Sequence, residues 1–139
     1  MNIDSIKNGI VIDHIVAGKG MDIYRLLHLD RLDCSVAIIK NVSSRKMGKK
    51  DIIKVDADID VDVDILGYVD PGVTIDVIKD SKLVEKKKVQ LPEMLTNVIH
   101  CKNPRCITSV EQELPHVFKL TGQGSNKVYR CIYCETKAE

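Results

Sequence analysis

Apolar positions along the first ninety residues alternate between two kinds of pattern. Residues 10–16, Ile-Val-Ile-Asp-His-Ile-Val, are β-branched and bounded by Gly9 and Gly18, which predicts a strand. After the Gly18-Lys19-Gly20 turn, Ile23, Tyr24, Leu26 and Leu27 fall at the spacing of a short amphipathic helix over 21–29. Cys34 to Val42 is apolar again and predicts a buried strand. Ser43 to Gly48 forms a turn, and Asp51 to Val55 is a further strand. Val73 to Ile78 and Leu83 to Gln90 predict a hairpin turning at Lys79-Asp80-Ser81-Lys82.

Between these lies a stretch that fits two periods. Ile59 to Ile65 alternates strictly with aspartates, as a half-buried strand does. Val61, Ile65, Leu66 and Val69 also line up on one helix face, although Val, Ile and Asp are mediocre helix formers. The repeated Asp-x-Asp does not make a calcium loop. Counted from Asp58, the sixth residue is Val63 rather than Gly and the twelfth is Val69 rather than Glu.

Asp70-Pro71-Gly72 is a turn, and Leu91-Pro92 breaks the strand pattern, so a boundary is expected there. The expected organisation is α+β. A mixed-sheet domain with two helices over residues 1–92 precedes a small all-β, zinc-ribbon-like module over 93–139, with strands near 117–120 and 128–130. The second segment is short, polar and turn-rich, and needs a metal to hold it.

Composition adds little except locally. The 139 residues carry a net charge of +1, no Trp and one Phe, so the cores must come from Ile, Val and Leu. No apolar run approaches a membrane span, and Met1 to Asp4 shows no leader pattern. Residues 40–54 hold Lys40, Arg45, Lys46, Lys49, Lys50 and Lys54 against Asp51 alone, while 56–64 hold five aspartates and no base. Such runs are usually solvated faces; the basic one also suits phosphate.

The chemistry lies in the cysteines. Cys101-x₄-Cys106 and Cys131-x₂-Cys134 supply four thiolates in two hooks, the donor set of one structural Zn²⁺ per chain. A complete thiolate shell leaves no open position for catalysis. His100 is a weak competitor for ligation, His116 reads as a packing histidine, and Cys34 as an inert buried thiol. An odd cysteine count with four clustered favours a reducing, cytoplasmic setting. The basic run Lys86-Lys87-Lys88 with the 40–54 stretch keeps one alternative open, a nucleic-acid-binding zinc ribbon. Asp13, His14 and Cys34 include no nucleophile motif, which argues against an enzyme.

Taken in order, several motifs resemble one family. They are Gly9-Ile-Val-Ile-Asp-His-Ile-Val, Met47-Gly-Lys-Lys-Asp-Ile-Ile-Lys54, Leu91-Pro-Glu93, the Cys-x₄-Cys hook, and Tyr129-Arg-Cys-Ile-Tyr-Cys-Glu135. Each is modest alone. The ordered set, from about Ile3 to Glu135, resembles the regulatory chain of aspartate carbamoyltransferase. That resemblance implies a noncatalytic subunit of a pyrimidine-biosynthesis complex. It would bind nucleotide effectors of the CTP, ATP and UTP class in its first domain. Its zinc domain would dock on the catalytic chain, and it would pair with a second copy of itself, with neither nucleic acid nor membrane as partner. The resemblance places Asp13 and His14 near the base and phosphates, Lys50, Lys54 and Lys86 on ribose and phosphates, and Ile6, Val11, Ile78 and Leu83 around base and sugar. Asp76 stands where the best-known members have Asn, and Ser81 where they have Tyr, so base or ribose preference is expected to differ. The resemblance also implies a helix near Asp60–Val69.

Overall fold

The computed structural model describes residues 6–138. The N-terminal stretch read above for a leader lies outside them. The chain divides into two compact units, Met1–Leu91 and Pro92–Glu139.

In the first unit, β1 (Gly9–Val16), β2 (Val36–Ser44), β3 (Gly48–Val55), β4 (Thr74–Lys79) and β5 (Lys82–Lys88) form one sheet in the order β2-β3-β1-β4-β5. Helices α1 (Gly20–Leu26) and α2 (Val63–Val69) connect β1 to β2 and β3 to β4. The α+β class holds, but every strand pair is antiparallel rather than mixed. The topology explains why. Each helical crossover skips a strand: β3 lies between β1 and β2, and β1 lies between β3 and β4. This is the split β-α-β arrangement, whose parallel strands are next neighbours but one.

Three register breaks interrupt the sheet: one between Val77 and Ile78 pairs Ile78 with Leu83, and two β-bulges set which residues face the helices. Ile12 pairs with Ile53 and Ile15 with Asp51, so Asp13 and His14 together oppose Ile52. His14 takes a left-handed φ of 60° to do so. The extra residue shifts the alternation by one, which is how Ile10, Ile12 and Ile15 all reach the core. They pack there with Ile23, Leu29, Ile53, Val55, Leu66, Val73 and Ile75. The second bulge sits at Lys40 and Asn41, opposite Asp51.

Asp51 joins both irregularities. Fully buried, it accepts Gly18 N at 3.0 Å and Gly20 N at 3.1 Å on Oδ2, and Asn41 N at 3.1 Å on Oδ1. Burial pushes this carboxyl up, but the three N–H donors outweigh it and hold it below its ordinary 3.8. A side chain at Gly20 would meet Asp51 Oδ2 at 2.9 Å, so the turn into α1 needs glycine. Asp70, also buried, accepts Val16 N at 2.8 Å and Gly72 N at 3.0 Å.

The doubly periodic stretch resolves into the helix, and residues 58–62 before it form no strand. Asp62 is the N-cap of α2, accepting Asp64 N at 3.0 Å and Ile65 N at 3.3 Å. That cap ends the extended run and starts the helix. Ile59 and Val61 pack on the core from the segment before the helix, and Leu66 and Val69 from the helix itself. At the β4–β5 hairpin, Asp80 and Ser81 both have positive φ, 51° and 63°, the geometry of a two-residue turn.

In the second unit, β6 (Met94–Thr96), β7 (Val117–Thr121) and β8 (Val128–Cys131) form an antiparallel sheet in chain order. The single-turn helix α3 (Ile107–Val110) follows the first cysteine hook. Leu95, Val117, Phe118 and Tyr129 make its small core, and Tyr129 Oη donates to Pro92 O at 2.7 Å.

Candidate functional site

In the second unit, the two hooks meet. Cys101 Sγ lies 3.6 Å from Cys134 Sγ, and Cys106 Sγ lies 3.7 Å from Cys131 Sγ. All four sulfurs are within 4.8 Å of one another. Sulfurs about 2.3 Å from a tetrahedral zinc stand roughly 3.8 Å apart, so the cradle has the size of that ion. Local bonds shape each hook. Asn103 accepts Cys106 N at 3.0 Å and Ser109 Oγ at 2.7 Å through its carbonyl, and Arg105 N at 3.0 Å through its side chain. Glu135 turns back on the second hook with a φ of 64°, donating its N–H to Cys131 O at 2.8 Å.

Hydroxyls support the sulfurs. Thr108, nearly fully buried, donates to Cys106 Sγ at 3.1 Å, and Thr136 Oγ1 is 3.2 Å from Cys134 Sγ. On protein groups alone, burial pushes the Cys101 thiol up to about 12. The Thr136 hydroxyl pulls Cys134 down to about 6. A bound cation lets all four ionise together. His100 is not part of the cluster; its ring stands edge-on to His116, with centroids 4.4 Å apart. His116 Nδ1 accepts Cys101 N at 3.1 Å, which fixes the hook instead of ligating. The residues fit one structural zinc ion per chain, with four thiolates filling a tetrahedral shell.

In the first unit, the sheet has a helix-covered face and an open face, and strand register decides membership. Ala37 pairs with Lys54, Lys54 with Val11, Val11 with Asp76, and Asp76 with Lys86. These form one row across five strands. Side chains alternate along a strand, so a whole row shares a face. Since Ile12, Ile53 and Ile75 face the core, this row faces away from the helices. One neighbouring row holds Gly9, Ile78 and Leu83, and the other holds Asp13, Thr74 and Lys88.

Seven of the ten residues expected at a nucleotide therefore share the open face: Val11, Asp13, Lys54, Asp76, Ile78, Leu83 and Lys86. Lys50 joins them through its ammonium, 3.0 Å from Asp13 Oδ1. His14 joins through its bulge, with Nδ1 2.9 Å from Thr74 Oγ1. Burial pushes the Asp13 carboxyl up, but the Lys50 ammonium and the His14 N–H, 2.6 Å away, hold it below its ordinary value. Ile6 precedes β1 and is buried beside Gly9, where an added Cβ would come within 2.9 Å of its Cγ2. Sequence reasoning did not place Thr74 on this face, named Lys88 only within a basic run, and did not name Thr108. Register would have found the first two, because Thr74 lies two residues before Asp76 on the same strand.

The face divides by chemistry. Ile78 and Leu83 make one end apolar, and Lys50, His14, Thr74 and Lys88 make the other polar and cationic. A ligand with a flat apolar part and an anionic tail matches that order.

Comparison with known proteins decides the family. Residues 1–90 match the aspartate carbamoyltransferase regulatory chain, allosteric domain, and residues 93–139 match the same chain's metal binding domain. The chain belongs to the aspartate carbamoyltransferase regulatory chain family. It is 51% identical over 135 residues to such a chain of Clostridium botulinum, covering 97% of this chain and 92% of the relative. It is 50% identical to one of Clostridium tetani, covering 97% and 94%. It is 42% identical to one of Bifidobacterium longum, covering 100% and 99%. As a regulatory chain it is a noncatalytic subunit with an allosteric and a metal-binding domain, and the nucleic-acid-binding zinc ribbon falls away. No helix among the described residues is long and apolar enough to cross a membrane.

Proposed function

We propose that residues 1–92 bind nucleotide effectors of the CTP, ATP and UTP class on the open face of the sheet, and that residues 93–139 dock on the catalytic chain of aspartate carbamoyltransferase. The observation that carries the reading is the register row Lys54–Val11–Asp76–Lys86, flanked by an apolar row and a cationic one. Lys50, Lys54, Lys86 and His14 supply donors for a polyphosphate, Asp13 orients Lys50, and Val11, Ile78 and Leu83 border base and sugar. Cys101, Cys106, Cys131 and Cys134 hold the zinc, which gives the second unit a rigid face. Ile107, Val110, Ile132 and Tyr133 leave large apolar side chains exposed beside those hooks, chemistry suited to a protein partner.

The chain pairs with a second copy and works in the cytoplasm as part of pyrimidine biosynthesis. An effector changes catalysis only through unequal affinity for two states of the complex. The test mixes the zinc-loaded chain with catalytic trimers. The chain alone should show no carbamoyl transfer, and the mixture should elute as a larger complex whose activity responds to CTP, ATP or UTP. Separate elution with zinc present would defeat the docking reading. No binding of any of the three nucleotides would defeat the effector reading.

A further inference from the structure

Asp76 fits a nucleotide face badly. It stands mid-row on the open face, opposite Lys86 on one side and Val11 on the other, with Lys54 beyond Val11. Its Oδ1 is buried and has no hydrogen-bond partner. Among the described residues it forms no ion pair, not even with Lys86 across the strand pair. Asp13, in the next row, is satisfied by Lys50 at 3.0 Å, so the two carboxylates of this face differ.

A carboxylate accepts and cannot donate, and leaving it buried without a donor is costly. A phosphate oxygen is also an anionic acceptor. A polyphosphate drawn across the row by Lys54 and Lys86 therefore sets like charge against Asp76. Magnesium is commonly held between one or two protein carboxylates and a ligand's phosphates. Resting on the nucleotide reading above, we propose that Asp76 is a protein ligand for a divalent cation that bridges it to the effector's phosphates. The effector form this chain selects is then the magnesium–nucleotide complex.

The sign of the magnesium effect tests this. Without a protein carboxylate to receive it, Mg²⁺ only neutralises the phosphates that the lysines attract, so it leaves binding unchanged or weakens it. With Asp76 as receiver, Mg²⁺ tightens binding. The experiment titrates ATP and CTP calorimetrically into the zinc-loaded full chain, in potassium buffer with and without excess Mg²⁺ and free of chelators that would strip zinc. The wild type should bind at least about tenfold tighter with Mg²⁺, a difference of about 1.4 kcal/mol. Asp76→Asn keeps the shape and removes the charge. It should bind the Mg²⁺-free nucleotide more tightly than wild type and lose or reverse the Mg²⁺ effect. Asp76→Ser should do the same, so that a fault of the amide in the first variant does not decide the matter.

Wild-type affinity that Mg²⁺ leaves unchanged or lowers overturns the proposal while leaving the nucleotide reading intact. So does a Mg²⁺ enhancement that survives in both variants. If binding ignores Mg²⁺ but falls for 2′- or 3′-deoxynucleotides, Asp76 meets the ribose and the cation is excluded. Absence of binding in every buffer, for wild type and variants alike, overturns the nucleotide reading and this proposal with it.

Discussion

Replacing Asp51 by Asn should destabilise the first unit by about 3 kcal/mol. The carboxylate serves three backbone donors at once, two glycine N–H groups on Oδ2 and Asn41 N on Oδ1. An amide of the same shape has one acceptor. With its oxygen toward Gly18 and Gly20, its NH₂ points at another N–H, and the Asn41 bond is lost at about 1.5–3 kcal/mol. The two surviving bonds weaken as well, because their acceptor is no longer charged. Against a total stability of about 5–15 kcal/mol this is a severe loss. With a urea m-value of about 1.5 kcal/mol/M, the unfolding midpoint should fall by about 2 M, followed by circular dichroism on the zinc-loaded chain.

The pH dependence sharpens the test. Asp51 has a folded pKa below 3.8, so its stabilisation is complete above the ordinary carboxylate value and is lost as pH falls through the lower folded one. The gap between wild type and Asp51→Asn should be constant from about pH 7 to about pH 5 and close only below the ordinary value. Acid release of zinc affects both proteins alike and cancels in the difference. A gap under about 1 kcal/mol at neutral pH, or one that closes well above pH 5, would refute the three-donor account. The same variant should weaken nucleotide binding, since Lys50 immediately precedes Asp51 on β3 and its ammonium reaches Asp13 only while the strand holds its bulged register.

Other perturbations separate the two units. Cys106→Ser should release zinc, whose binding stabilises such modules by about 10–16 kcal/mol, and unfold the second unit. Nucleotide titration of the first unit should be unaffected, and its simultaneous loss would show that the units do not fold semi-independently. Thr108→Val removes the buried hydroxyl 3.1 Å from Cys106 Sγ and should lower zinc affinity about tenfold in competition with a chromophoric chelator. Unchanged affinity would reduce that hydroxyl to packing. Lys86→Ala deletes a cation of the central row and should weaken ATP and CTP binding about tenfold or more, read by titration. Equal affinity would move the phosphates off this row.

What could be read along the chain depended on how far apart the interacting residues lie. The zinc cradle was legible because the hooks span six and four residues, and thiolate spacing carries its own chemistry. The helix at Val63–Val69 was not legible from period alone. Asp62 serves as cap, a role that alternation with four other aspartates disguises. The bulge at His14 was equally hidden, because one extra residue is a matter of what β3 places opposite, and Asp51 lies 37 residues further on. For the same reason a mixed sheet was expected where crossovers that skip a strand give an antiparallel one.

The open face shows what register adds to resemblance. Lys54, Val11, Asp76 and Lys86 come from four strands and have no common spacing in the sequence, yet pairing puts them in one row. Resemblance alone treats the Asp76 carboxylate as one more polar residue expected near a nucleotide. Its place in the row makes it a conflict, an acceptor without a donor between two lysines that attract phosphate. Lys50 resolves the corresponding conflict at Asp13 from within the protein. At Asp76 the described residues offer no such group, and the proposed cation would supply it. The proposal therefore turns on the difference between a carboxylate and an amide at this position. An amide can donate to a phosphate directly, whereas an ionised carboxylate cannot and is bridged to one by a cation.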